Sequence, residues 1–438
     1  MTTRYLSSLV FAGSLLTACT QNFNKPKIDS LLNTVAAKHQ GMGSIAIAHN
    51  GYIVYQKSVG IGNTLPAGPE TRYRIGSITK MFTAVMIFQL IGENKMQLST
   101  PLSTFYPQMP NAAKITIKMM LGHRSGLHDF TMDTTYGTFY AKPQTHGEML
   151  ARMASHKPDF EPDADTQYSN TNFLLLGYIV EKLTGKSYSE ALKERITAKI
   201  GLANTFYGEQ KNNAVDDAKP FIWRKGRWEQ TPETDMSVPG GAGAIVSTTS
   251  DMLEFIQALF SGKLVTPQQL ELMKPNVGNF GLGMFKFDFS GHTSYGHPGN
   301  IDGIFCEVGY FPKEKVAIAY CSNGGDYPRS EVLNGVMKIY FNLPYTIPTF
   351  KVIRLDAARL TPYLGTYASR DRPQKIIITM DDGVLSMELP GQQPYSLQPV
   401  SANTFESKTL NATLAFGTAQ HTFVITRGDK SYSYSIEH

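Results

Sequence analysis

The chain has 438 residues, of which 42% are hydrophobic and 18% charged, and it carries a formal net charge of +5. That is ordinary globular composition, long enough for one large core and a smaller second unit. Lysines and arginines are scattered without a basic run, which argues against a nucleic-acid binder, and neither a Cys–His cluster of zinc spacing nor a His-Glu-x-x-His motif occurs.

Residues 1–18 have the form of an export signal. One positive charge, Arg4, precedes a mainly apolar run from Leu6 to Leu16 that is too short to span a bilayer. The run ends in Leu-Leu-Thr-Ala-Cys, Leu15 to Cys19, which resembles a bacterial lipobox. It predicts an exported lipoprotein, acylated on Cys19 and anchored to a membrane, facing the periplasm or the cell exterior. Thr20, rather than aspartate, follows the cysteine and points to the outer membrane in a Gram-negative cell.

Gly43 to Gly60 alternates on both sides of Asn50-Gly51, the strongest short hairpin signal. A helix is expected from Ser77. Ile78, Met81, Phe82, Val85, Met86, Ile87 and Leu90 cover nearly its whole circumference, as in a core helix. From about Thr100 to Tyr168, helical patterns mix with Pro, Gly and Asn and read as a helical subdomain with long loops. A second apolar helix runs from Asn170 to a stop at Gly185. A glycine-rich stretch from Gly240 leads into a helix capped by Thr249 or Ser250.

Four strand-like runs follow, at 281–289, 293–299, 304–311 and 316–322. With the opening hairpin they predict a mostly antiparallel sheet flanked by helices. Cys306 and Cys321 lie nearly equidistant from a turn centred near Lys313, which suits either a cross-strand disulfide or two buried thiols. A proline-dotted linker at 341–356 precedes short alternating segments, which predict an all-β, barrel-like C-terminal unit. The expected architecture is therefore α/β of the α+β type, with 28–345 as the larger unit and 355–438 as the smaller.

Ser77 and Lys80 are the chemically suggestive pair. Spaced i and i+3, they share a face of the helix's first turn. The helix dipole and burial both disfavour a protonated lysine there, so Lys80 can accept a proton from Ser77 while nearby N–H groups face a developing oxyanion. Further along lie Tyr168-Ser169-Asn170, just before a helix, and His297-Pro298-Gly299 on a strand. Tyr340-Phe341-Asn342, His39-Gln40-Gly41 and His49-Asn50-Gly51 also fit these short patterns, but chain order and context exclude them. His123 and His128 near Asp129 hint at a metal, and loop packing is the simpler reading, so no metal or other cofactor is expected.

This ordered set resembles the class C β-lactamase and penicillin-recognising DD-peptidase superfamily of serine hydrolases. The segments 119–130, 160–188 and 281–304 resemble it too, with Arg124 where the family has threonine. Some members carry a C-terminal lipocalin-like barrel. The resemblance implies Ser77 as acylated nucleophile and Lys80 as its proton acceptor. It implies Tyr168 as acid/base, aided by Lys80 and His297, and Asn170 as the residue holding Lys80 and the substrate amide. The N–H groups of Ser77 and Asn300, the latter following Gly299, would form the oxyanion hole. Pro298 stands where the family offers a hydroxyl for a substrate carboxylate, which predicts weak discrimination for free acids unless Asn300 or Arg124 substitutes. The expected activity is amide or ester hydrolysis through an acyl-enzyme, with a D-amino-acid peptidase or carboxypeptidase first, an esterase close behind and a β-lactamase third. The contrasting expectation is a penicillin- or ligand-binding lipoprotein with little turnover.

Overall fold

A computed structural model describes residues 23–437, apart from 63–64, 67, 69, 209–216, 225–226, 276–277, 351–354, 373, 382, 390–393, 408–409 and 418–420. The export signal and Cys19 lie outside the described residues. No described helix is long and apolar enough to cross a membrane.

The central sheet is antiparallel. Its strands are β1 (Met42–His49), β2 (Tyr52–Val59), β3 (Phe285–Phe289), β4 (His292–Ile301), β5 (Ile304–Phe311) and β6 (Val316–Gly324). Their spatial order is β3-β4-β5-β6-β1-β2, so the opening hairpin pairs with the last strand, Ala46 opposite Ala319. Strand alternation sorts β1 onto two cores. Ile45 and Ile47 pack with helix α1 (Lys25–Ala37) and helix α5 (Arg329–Tyr340), while Ala46 and Ala48 face the larger core on the other side. Cys306 and Cys321 stand opposite each other on β5 and β6 and are joined as a disulfide.

The larger core is built on helix α2 (Thr79–Gly92), helix α3 (Asn170–Thr184) and helix α4 (Thr249–Phe260). All residues of α2 from Thr79 to Phe88 are buried, which is why its sequence is apolar around the circumference. Phe82 stacks on Phe255 of α4 with ring centroids 3.7 Å apart. Gly177 of α3 touches Gly241 so closely that a Cβ on Gly241 would lie 2.8 Å from its partner's Cα. Two details differ from expectation. Ser77 sits in a 3₁₀ turn, Gly76–Ile78, that tightens the entry to α2, a common device at helix starts. Thr248, not Thr249 or Ser250, caps α4, because its extended backbone lets the side chain accept from the Asp251 N–H.

The C-terminal strands are β7 (Gly365–Ala368), β8 (Ile376–Asp381), β9 (Val384–Glu388), β10 (Tyr395–Pro399), β11 (Thr404–Ser407), β12 (Ala412–Phe416), β13 (Thr422–Arg427) and β14 (Lys430–Ile436). They form a closed antiparallel barrel in which β14 returns to β7. Its interior is filled by Tyr367, Phe405, Phe416, Phe423 and aliphatic neighbours.

Candidate active site

The site forms where the α2 entry, the α3 entry and the end of β4 meet. Lys80 is fully buried and directs Nζ at three oxygens: Ala242 O at 2.7 Å, Asn170 Oδ1 at 2.8 Å and Ser77 Oγ at 3.1 Å. Burial lowers its pKa to about 7, against the opposing field of the Asp129 carboxylate. The geometry suits the neutral amine. Two N–H bonds satisfy Asn170 and Ala242, leaving the lone pair for the Ser77 proton.

On the other side of Ser77, the Tyr168 hydroxyl donates to Oγ across 2.7 Å. Burial raises the Tyr168 pKa well above its ordinary value, with Ser77 opposing and Asp129 adding, so the phenol stays protonated at neutral pH. The Lys80 ammonium position lies 4.8 Å from the centre of the Tyr168 ring. His123 stacks on the same ring, with centroids 4.4 Å apart, and accepts the Ser169 N–H at Nδ1 across 3.1 Å. That bond fixes both the imidazole and the backbone entry to α3.

Asn170 is held from behind. Its Nδ2 donates to the two Asp129 oxygens at 3.0 and 3.3 Å, so Oδ1 must face Lys80. Asp129 is anchored in turn by the N–H and hydroxyl of Thr131 at 3.0 and 2.9 Å. From its loop, Asp129 thus orients the amide that binds Lys80, a role the sequence did not suggest. Ala242 was not anticipated either. Its signal was the glycine-rich stretch Gly240–Gly243, which brings a carbonyl against α2.

His297 is brought to the site but not as a cation. Burial, then the Lys80 charge, lower its pKa to about 3, with the Pro298 carbonyl opposing. Its Nδ1 donates to Pro298 O across 2.5 Å, so a neutral ring presents Nε2 as an acceptor. Any aid from His297 to Tyr168 therefore comes from a neutral ring, whose centroid lies 6.3 Å from that of Tyr168.

The strand edge explains Pro298, Gly299 and Asn300. Pairing with β3 ends at Gly296, so beyond it β4 keeps a partner only in β5. Asp302 and Gly303, both with positive φ, make the two-residue turn between β4 and β5. Such a turn makes Ile301 and Ile304 a hydrogen-bonded pair, and the alternation then leaves Asn300 and Pro298 pointing their nitrogens away from β5. Pro298 fits this phase, having no N–H to give. The freed Asn300 nitrogen lies beside the Ser77 turn, 2.9 Å from where a Cβ of Gly76 would stand. A Cβ on Gly299 would come within 1.9 Å of Ile75 O and 3.1 Å of the Ser77 nitrogen, so only glycine allows this approach. Arg124 is engaged outside the Ser77 cluster: its Nε pairs with Asp163 and its Nη1 donates to Thr166 Oγ1 at 2.9 Å.

A serine between a buried near-neutral lysine and a protonated tyrosine, at the junction of an antiparallel sheet and a helical subdomain, defines a serine hydrolase that cleaves amide or ester bonds. The beta-lactamase family model matches residues 28–338, and the chain belongs to that family. It is 25% identical over 430 residues to penicillin-binding protein 4* of Bacillus subtilis (strain 168), covering 90% of this chain and 94% of the relative. It is 26% identical to the teichoic acid D-alanine hydrolase of Staphylococcus aureus (strain MRSA252), over 69% of this chain and 76% of the relative. Among solved structures it is similar to the D-amino acid amidase of Ochrobactrum anthropi SV3, with a TM-score of 0.67 and 26% identity, over 73% of this chain and 99% of that one.

Proposed function

We propose that the enzyme acylates Ser77 with D-configured amino-acid amides, peptides or esters and then hydrolyses the acyl-enzyme. The observation that carries this reading is Ser77 Oγ held between Tyr168 Oη at 2.7 Å and Lys80 Nζ at 3.1 Å. Neutral Lys80 takes the hydroxyl proton as Oγ attacks the carbonyl carbon. The Ser77 and Asn300 N–H groups receive the oxyanion. Collapse expels the leaving amine or alkoxide, which takes the Tyr168 proton. The resulting phenolate faces the Lys80 ammonium, and proton transfer between them resets both groups. Water then attacks the ester, gives its proton to the Tyr168–Lys80 pair, and Ser77 leaves protonated. Because the pair exchanges protons, its titration belongs to both residues.

The relatives named for D-amino acid amide and teichoic acid D-alanine hydrolysis support a D-configured substrate. Pro298 offers no hydroxyl, and Arg124 is engaged elsewhere. Each missing charged hydrogen bond to a substrate carboxylate is worth about 1.5–3 kcal/mol, so a free acid gains little over an amide. The packed barrel interior favours catalysis over an apolar ligand held in the barrel. We further place the chemistry in residues 28–345, with 355–438 as a separate unit, and the enzyme on a membrane outside the cytoplasm through acylated Cys19. A Cys19→Ala variant that stays in the membrane fraction would contradict that tether.

The test is fluorescent-penicillin and fluorophosphonate labelling read by intact mass, followed by D- and L-amino-acid amides, peptides and esters. Ser77→Ala is expected to carry no adduct. An adduct persisting on that variant would place the nucleophile elsewhere. A preference of about a hundredfold for a C-terminal free acid over its amide, on the order of 3 kcal/mol, would instead define a DD-carboxypeptidase.

A further inference from the structure

The loop that supplies Asp129 continues to Asp133, and there the chain gathers a second polar cluster that the hydrolytic chemistry does not use. His128 Nε2 lies 3.4 Å from Asp133 Oδ1, and His156 Nε2 lies 2.9 Å from the same oxygen. One ligating atom from each residue falls within 4.8 Å of the others. The two imidazole rings stack with centroids 4.7 Å apart. The Asp133 side chain is only 4% exposed; its Oδ1 faces just the two imidazoles, and its Oδ2 has no hydrogen-bond partner. Burying a carboxylate without hydrogen bonds is costly, and a cation held by the same oxygens removes that cost.

We propose that His128 Nε2, His156 Nε2 and the Asp133 carboxylate form a site for one divalent transition-metal ion of the zinc type. Two ligands, each about 2.0–2.1 Å from a tetrahedral zinc, stand about 3.4 Å apart, against 3.4 and 2.9 Å from Asp133 Oδ1 to the two imidazoles and no more than 4.8 Å within the cluster. The outer partner is in place as well. Asp159 Oδ1 sits 2.8 Å from His128 Nδ1, an outer carboxylate that would hold the proton on Nδ1 when a metal takes Nε2. His128 and His156 are partly exposed, with side-chain exposures of 25% and 34%, so solvent reaches the fourth position. Three ligands of this kind come from the loop at 128–133 and the residue that ends the helix His146–Ser155. An ion would clamp the loop to the segment 156–159. His128 adjoins Asp129, so the clamp would brace the wall behind Asn170 and Lys80. The ion takes no part in the hydrolytic steps.

The experiment uses the full chain without a histidine tag, stripped with a chelator and titrated with Zn²⁺ by calorimetry and with Co²⁺ by visible absorption. The expected result is one ion per chain, tetrahedral Co²⁺ bands and a thermal midpoint raised by several degrees. His156→Gln is expected to weaken binding by about a hundredfold and Asp159→Asn by about tenfold. Both variants should retain Ser77 labelling and the circular dichroism of the parent, which shows that they fold. His156→Gln changes a partly exposed ring, so it serves even where Asp133→Asn fails to fold. Absence of Zn²⁺ binding to the stripped chain would overturn the proposal. So would binding of equal strength in parent and His156→Gln, which would assign the ion to other imidazoles. Neither result depends on whether Ser77 is the nucleophile.

Discussion

The core around α2 and the interior of the C-terminal barrel are both tightly closed, yet they bury different chemistry. Around α2 the chain buries Lys80, Thr79, Thr83, His123, Asn172 and His297 among leucines and phenylalanines. Among the described residues, Ser407 is the one buried polar residue of the barrel, and the rest of its interior is aromatic and aliphatic. Burying polar groups opposes folding unless each finds a partner. Around Lys80 the partners are Ala242, Asn170 and Ser77, with Asp129 and Thr131 one step behind. The larger hydrolase core has enough apolar burial to hold such a network, and the chemistry sits there. The small barrel uses its interior for packing alone.

That contrast makes activity and stability separable. Lys80→Ala and Tyr168→Phe should each slow acylation by about 10²–10⁴-fold, and the double variant should be far from additive, because the pair moves protons as a unit. Near-native rates in both single variants would break the contrast at once. Phe405→Ala, in the barrel, should cost about 3–5 kcal/mol in stability of that unit while leaving the rate of Ser77 labelling unchanged below its melting point. Denaturant melts beside labelling rates check this, and a labelling loss parallel to the stability loss would show that the two cores act as one. Asp129→Asn sharpens the picture further. It removes one charged hydrogen bond from Asn170, worth about 1.5–3 kcal/mol, so acylation should fall by about ten- to a hundredfold with little change in labelled end-point. An unchanged rate would mean that Asn170 is oriented by other groups.

Much of the fold was legible in the sequence for reasons of period and turn chemistry. Asn50-Gly51 announced the hairpin, the all-round apolar pattern of α2 announced a central helix, and alternation with short turns announced the barrel. Ser77, Lys80, Tyr168 and Asn170 of the short motifs do meet, because they stand at the entries to α2 and α3, while His297 stands within β4, one residue past the end of its pairing with β3. What the sequence withheld was of another kind. Ala242 contributes a backbone carbonyl, which no side-chain pattern encodes. Asp129 acts through Asn170 from a loop with no periodicity, so its role depends on a contact across 41 positions. The charge of His297 depended on how deeply the folded chain buries it. The cluster of His128, Asp133 and His156 spans a loop and a helix end, with spacings that match no ligand motif. Pro298 was readable only through strand phase, and β4 does leave its proline and Asn300 nitrogens on the open edge.

The central claim is that Lys80, uncharged because it is buried, takes the proton of Ser77. It is tested most directly by the pH dependence of single-turnover acylation with one fluorescent penicillin. With the Lys80 pKa lowered to about 7, the neutral base is lost as pH falls through that value. The rate should drop about tenfold per unit below it and level off above it. His297, neutral above a pKa of about 3, should add no inflection between pH 5 and 9. A rate that is flat across that range, or that rises only near the ordinary lysine pKa of about 10.4, would contradict the account.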